Sequence, residues 1–239
     1  MLGRALLVLL ALAPCAALAG EPARTSLLVG GTGVVLPAPD GMVGMEIGGQ
    51  EAERILGARH GGSKLLWMFI EPGDNARIRE RQDPRMDRTA SVHVDREDEP
   101  LAYSAAAFED FKERRRRLVA SPDYPGQLER SRQAWNDFVR KQPVREGEAW
   151  RSRSEPVEKF ESLGWIGDGK GYFAHLQRNT SQAAGTPRVT VACRAYVLAA
   201  GKLLRVETVS VERDDRDRGW VRITCLGWLK DIAQLNPGR

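Results

Sequence analysis

Apolar positions alternate with polar ones through much of the last third of the chain. Val189, Val191, Cys193, Ala195 and Val197 share one face, with Thr190, Arg194 and Tyr196 on the other, which predicts a half-buried strand. Ala199-Ala200-Gly201-Lys202 supplies turn chemistry, because Gly201 reaches positive φ without a steric penalty. Residues 203–211 are β-branched and apolar enough for a second strand, which closes a hairpin. Its looser alternation fits a strand partly covered on both faces. Residues 212–218 (Glu-Arg-Asp-Asp-Arg-Asp-Arg) hold no apolar side chain and are expected to form a solvated loop. The period then changes. Val221, Cys225, Trp228, Ile232 and Leu235 fall on one helical stripe, widened by Trp220 and Ile223. Asp214, Asp215 and Asp217 stand before or at the helix start, where negative charge meets the positive end of the dipole. Asn236-Pro237-Gly238 is a stop signal. Gly227 within the stripe calls for an explanation, and a close approach of helix to sheet would supply one.

Upstream the same reading gives a β-rich start over 25–36, broken by Gly30-Gly31-Thr32-Gly33, then a turn at Pro37–Gly41 and a short extended piece over 42–47. Residues 51–59 read as a short helix. Residues 65–70 (Leu-Leu-Trp-Met-Phe-Ile) are continuously apolar and predict a central strand. A turn over 71–75 and a charged, exposed loop over 77–86 follow, and a strand returns at 89–94. Residues 103–119 have helix composition, with Phe108, Phe111, Arg115 and Leu118 on one side. After a break at 122–126, a second helix carries Leu128, Arg132, Trp135, Phe138 and Val139 and ends before Pro143. Residues 147–164 favour no state. Alternation returns over 171–178, before a loop over 180–187. Strands that neighbour one another, with helices segregated from them, define an α+β fold. It has a largely antiparallel sheet, helices packed on that sheet, a helical insert at about 101–142 and a closing hairpin plus amphipathic helix.

Two stretches resemble a known group. Leu36-Pro37-Ala38-Pro39-Asp40-Gly41 resembles the strand, Pro-x-Pro-x-Gly opening of small secreted proteobacterial proteins. Residues 198–211, followed by Trp228-Leu229, Ala233 and Asn236, resemble their closing pattern of Gly-Lys-x-Leu, strand, loop and Trp-bearing helix ending in Asn. The group has an α+β sandwich like that of the photosystem II extrinsic subunit P superfamily. The resemblance touches about a third of the chain. It implies a protein that binds partners without catalysis, and it carries over no functional residue.

The N-terminus sets the compartment. Arg4 lies in a charged start, residues 5–12 are apolar, and Ala17-Leu18-Ala19 is a small-x-small cleavage site, so residues 1–19 read as a signal peptide and 20–239 as one mature domain. The apolar run is too short to span a bilayer and is interrupted by Pro14. Lipidation at Cys15 is disfavoured, because Pro14 stands where a small residue belongs. No second apolar run follows, so no transmembrane segment is expected. Of three cysteines, cleavage removes Cys15 and leaves Cys193 on the strand's apolar face and Cys225 on the helix's apolar stripe. In an oxidising periplasmic or secreted setting these are expected to meet as a disulfide; the alternative is two buried thiols. The net charge of +4 is small, and Arg, Ala and Gly abundance fits a GC-rich genome as well as it fits a polyanionic partner.

No chemical motif in the chain is complete. Gly164–Lys170 has the spacing of a phosphate-cradling loop as far as the lysine, but Gly171 replaces the magnesium-binding hydroxyl. Gly31-x-Gly33 lacks the third glycine of a dinucleotide site. His60, His93 and His175 are single and far apart, and paired metal-ligand spacing is absent. His60-Gly61-Gly62 has no Gly-x-Ser-x-Gly elbow to serve. Asp214, Asp215 and Asp217 are interleaved with arginines that would repel calcium. No catalytic residue, metal or cofactor is assigned. Arg114-Arg115-Arg116-Arg117 spreads around a helix and is partly neutralised by Glu109, Asp110 and Glu113, with no interleaved aromatics of the kind that stack on bases, so nucleic acid is not an expected partner. The expected function is that of an exported, non-catalytic protein that binds a macromolecule of the cell envelope, an immunity or inhibitor-type protein being one version. The helical insert, with Arg114, Arg115, Arg116, Arg117 and Trp135, is the expected contact surface, the alternatives being a solvated helix face for the arginines and a core position for Trp135. A hydrolase with a site assembled from distant residues and a small-ligand carrier are the alternatives.

Overall fold

The computed structural model describes residues 23–45, 62–141, 156–183 and 186–237. Two strands, β1 (Arg24–Val29) and β2 (Thr32–Pro37), form an antiparallel hairpin of their own. The main sheet holds β3 (Val43–Gly44), β4 (Ser63–Ile70), β5 (Arg88–Asp95), β6 (Val157–Gly169), β7 (Tyr172–Ala183), β8 (Thr186–Ala199) and β9 (Lys202–Val211). Its order is β3-β4-β5-β9-β8-β7-β6, and every pairing is antiparallel. Four helices accompany it among the described residues: α1 (Pro72–Arg79), α2 (Ala105–Ala120), α3 (Tyr124–Lys141) and α4 (Asp215–Leu235). The fold is α+β, as the pattern predicts.

The two faces of the sheet differ because strand alternation sorts them. Val191, Cys193, Ala195 and Val197 of β8 and Leu204 and Val206 of β9 face α4, whose Val221, Cys225, Trp228, Leu229 and Ile232 are almost fully buried against them. Cys193 and Cys225 are joined as a disulfide with Cα atoms 6.3 Å apart. The β1–β2 hairpin closes the same core. Trp228 Nε1 donates to Pro37 O at 2.7 Å, and Asn236, the C-cap of α4, pairs with Val35 through Oδ1 (2.8 Å from N) and Nδ2 (2.7 Å from O). These bonds bring together the two stretches singled out in the sequence, the Pro-x-Pro opening and the Trp-bearing helix.

Several expectations need correction. Residues 72–79 are helical, with Pro72 at the first position, where its missing N–H is harmless. Asp74 of α1 is buried and accepts from the amides of Arg85 (2.7 Å) and Met86 (3.0 Å), which folds the following segment back as a cover. That cover explains the continuous apolar run of β4, which lies near the sheet edge and not at its centre. Phe69 faces the main core, whereas Leu65, Met68 and Ile70 pack with Met45, Ile78 and Met86 on the other side. β6 begins at Val157, inside the stretch that favoured no state, and the loop expected over 180–187 is mostly strand. Residues 212–218 are not simply solvated. α4 starts at Asp215, Asp217 is 5% exposed, and the Glu212 side chain is buried under two arginines. Ile223 points outward at 75% exposure. Gly227 faces open space, and the close helix–strand approach occurs instead at Gly167, where an added Cβ would meet Leu226 Cδ2 at 2.1 Å. The predicted helix over 51–59, with its His60, the leader and its Cys15, and the end of the insert lie outside the described residues.

Candidate binding cleft

Helices α2 and α3 cover the second face of the sheet, and they are anchored at both ends of the edge strand β6. From α2, Lys112 pairs with Asp168 (2.9 Å) and Glu109 (2.5 Å), and Arg116 pairs with Asp168. From α3, Asn136 brackets the backbone of Val157, accepting its N–H at 2.7 Å and donating to its carbonyl at 2.8 Å, while Arg132 adds a bond to the same oxygen at 3.1 Å. The entry to α2 is held by Lys202, whose buried ammonium donates to Glu99 O (2.9 Å) and Leu101 O (2.8 Å). An aromatic cluster of Phe108, Phe111, Phe173 and Tyr196 glues α2 to the hairpin end of the sheet.

Beyond that cluster the helices do not seal the sheet. A cleft of about 220 Å³ remains between them and strands β6–β9. Strand register builds its floor as two lateral rows. Trp165, His175, Arg194 and Glu207 are successive cross-strand partners, and so are Phe173, Tyr196 and Arg205. Register shifts on both sides of Trp165, between Ser162 and Gly164 and between Trp165 and Gly167, re-aim its indole into the cleft, where it stays 38% exposed. The rings form a continuous wall: Trp165 lies 5.5 Å from Phe173 and 5.6 Å from His175, and Phe173 stacks on Tyr196 at 5.3 Å. Arg115, Leu118 and Val119 of α2 and Tyr124 and Leu128 of α3 form the roof.

The charges are arranged unevenly. Arg194 Nε donates to Glu207 at 3.1 Å. Arg205 Nη2 donates to Ser63 Oγ at 2.9 Å, and its Nη1 lies 3.7 Å from Asp95. Arg115 has no carboxylate partner among the described residues. Its Nη2 donates to the Tyr196 hydroxyl at 2.8 Å, and its guanidinium sits over the Tyr196 and Phe111 rings at 5.1 and 5.4 Å. Burial, with Arg194 and Arg115 nearby, pulls the His175 pKa down to about 4, and its Nδ1 is buried without a hydrogen-bond partner. Burial also raises the Tyr124 phenol. At neutral pH the histidine is uncharged. It faces an arginine, and the cleft's glutamate is already bonded to that arginine, so no histidine–carboxylate pair for acid–base work is assembled here.

The expected interface residues separate. Arg115 turns into the cleft, Arg116 ties α2 to β6, Arg114 is exposed, and Arg117 is 76% exposed beside Glu113 at 3.0 Å. Trp135 is half-buried on α3. His93 is buried, with Nε2 2.9 Å from Ser91 Oγ. The glycine-rich stretch at 164–170 runs down β6 into the tight turn at Lys170-Gly171, where Gly171 has φ +84°. Among the described residues no group of three or more His, Cys, Asp and Glu is placed to hold a metal ion, and no helix is long and apolar enough to cross a membrane.

No protein-family model matches the chain, and no curated protein matches it. Among solved structures it is similar to a mutant of the protein Mog1, at 10% identity and a TM-score of 0.33 over 89% of this chain and 94% of that one. It is similar to the Ran-binding protein Mog1p of Saccharomyces cerevisiae at 11% identity and a TM-score of 0.31, covering 90% and 94%. LpqN of Mycobacterium tuberculosis, described as involved in cell envelope biogenesis, follows at 13% identity and a TM-score of 0.26, covering 90% and 87%. Likenesses at this level transfer no residue role to this chain.

Proposed function

We propose that the protein is an exported, non-catalytic binding protein, and that α2 and α3, with the cleft beneath them, form its recognition surface for a macromolecule of the cell envelope. The observation that carries this is the unsealed sheet face. A helical layer anchored at three points leaves a cleft lined by arginine and aromatic side chains, and presents Arg114 and Arg117 to solvent beside it. Arginine and aromatic side chains are the groups that most often anchor interfaces. The buried Cys193–Cys225 disulfide supports export, since such bonds persist in oxidising compartments. The resemblance to the photosystem II extrinsic subunit P superfamily supports a role without catalysis, and an inhibitor or immunity-type protein is one form of this class. The test is a pull-down from envelope extract with the mature chain and with an Arg114→Glu/Arg117→Glu variant. Stoichiometric recovery of one partner by the parent and its loss by the variant support the proposal. Equal recovery by both moves the interface elsewhere.

A second reading, a small-ligand carrier, is favoured by the position of the cleft between sheet and helices, where such carriers hold their cargo. The two readings share one surface and differ in what enters it.

A further inference from the structure

We infer that the cleft is a site for a single aromatic ring bearing one carboxylate, with the carboxylate on Arg115 and the ring against Trp165 and Tyr196. The inference rests on the recognition-cleft reading above and names the chemistry of what enters.

Size sets the first limit. A cavity of about 150 Å³ accepts benzene; the 220 Å³ here admits a ring with a short polar substituent and little more. The wall sets the second. Trp165, 38% exposed, and the half-buried Tyr196 offer π surface on the sheet side, with the fully buried Phe173 packed between them at 5.5 and 5.3 Å, and Leu118, Val119 and Leu128 lie on the helix side. Charge sets the third. Arg194 is matched by Glu207, and Arg205 is engaged by Ser63 and Asp95. His175 adds no charge at neutral pH. That leaves Arg115 as the cation in the cleft without a carboxylate among the described residues. One unmatched charge calls for a monoanion, and Glu207 within the same floor would repel a dianion such as a phosphate monoester. Arg115 spends one N–H on the Tyr196 hydroxyl and keeps others in the planar fork that matches a carboxylate. The rings beneath its guanidinium fix its orientation before any ligand arrives.

The same chemistry has two sources, a free aromatic acid or the C-terminal Phe or Tyr of a partner protein, and calorimetric titration of the full mature chain separates them. The probes are phenylacetate, its neutral isostere phenylacetamide, acetate, and a tetrapeptide ending in Phe with its carboxyl free or amidated. Phenylacetate or the free-carboxyl peptide is expected to bind at least about tenfold more tightly than the neutral counterpart, and acetate more weakly than either. Binding of the peptide alone assigns the site to a partner's C-terminus; binding of phenylacetate alone assigns it to a free acid. Arg115→Gln is expected to lower affinity about tenfold or more, Arg115→Lys to recover part of it, and Ser131→Trp, at an exposed position on the cleft rim, to block it with the thermal midpoint unchanged. Equal affinity for acid and amide, parental affinity in Arg115→Gln, or no heat from any probe overturns the inference. If no probe binds while the Arg114→Glu/Arg117→Glu variant still loses its envelope partner, the ligand chemistry is wrong and the broader reading stands. If the acid binds and no partner is recovered, the reverse holds.

Discussion

A methyl group has no room at Gly30. Its Cβ would stand 1.9 Å from the Glu99 carbonyl oxygen, at a backbone φ of +51° that L side chains avoid. Gly31 next to it also has positive φ, +80°, but faces open space. Gly30→Ala is therefore expected to destabilise by about 2–4 kcal/mol and Gly31→Ala by about 1 kcal/mol. Equal urea midpoints for the two variants would show that the close approach to the Glu99 carbonyl is unimportant. His175 makes a prediction of the opposite kind, one about pH. Its pKa falls from 6.5 to about 4 on folding, so the unfolded chain takes up the proton first as pH drops. Stability from this residue is complete above pH 6.5, declines between 6.5 and about 4, and changes no further below that. At 1.36 kcal/mol per pH unit the loss is up to about 3 kcal/mol. In His175→Phe the unfolding free energy should be flatter across that window, measured by urea titration at successive pH values. Neither residue was legible as special in the sequence. Gly30 sat among four turn-like residues, and His175 was one polar residue on the polar side of an alternating strand.

The start of α4 shows how a charged segment deceives. Seven polar residues in a row read as loop, yet Glu212 accepts from Arg178 at 2.7 and 3.0 Å and from Arg218 at 2.5 Å, and Asp217 takes Arg88 at 3.1 Å and the Arg213 amide at 3.0 Å. The Arg178 guanidinium, joined by Arg218, holds the Glu212 carboxyl below its usual range. Burial alone would raise Asp217, but the Arg213 amide and Arg88 outweigh it and keep that carboxyl low as well. Two depressed carboxyls stabilise the fold above their unfolded pKa values, 4.5 and 3.8, and that contribution is lost as pH falls through the lower folded values. Acid destabilisation thus has two overlapping parts, one from the histidine between pH 6.5 and about 4 and one from the carboxyls that opens below 4.5 and continues through their lowered folded values. Arg178→Gln should destabilise by about 1–3 kcal/mol at pH 7 and weaken the second part, because it leaves Glu212 with one guanidinium in place of two. A variant with the parental acid profile would place the network's stabilisation elsewhere. Composition alone could not reveal this, since a charge is solvated or paired according to what folds over it, and Arg178 is 34 residues away from Glu212.

Across the whole molecule the disulfide ties the sheet to α4 over a separation of 32 residues. Closing a loop of that length restricts the unfolded chain by about 3–4 kcal/mol. The Cys193→Ala/Cys225→Ala variant should lose that amount in chemical denaturation. A denatured chain of residues 20–239, which holds only these two cysteines, should show no reactive thiol before reduction and two after it. Thiols that react without reductant would remove the staple and, with it, the main support for export. The contact was readable in advance because each cysteine fell on the apolar side of a regular element, and those sides had to meet.

Alternation and helical spacing were enough to place the C-terminal hairpin, α4, α2, α3, the α+β class and the cysteine pair, because periods of 2 and 3.6 report which side of an element is dry. They could not place the cleft. Trp165, His175, Arg194 and Glu207 belong to four strands, and only the register that puts them side by side, together with two helices that cover part of the face and leave the rest open, makes them one surface. That register is a property of the assembled sheet, and no single stretch of chain contains it.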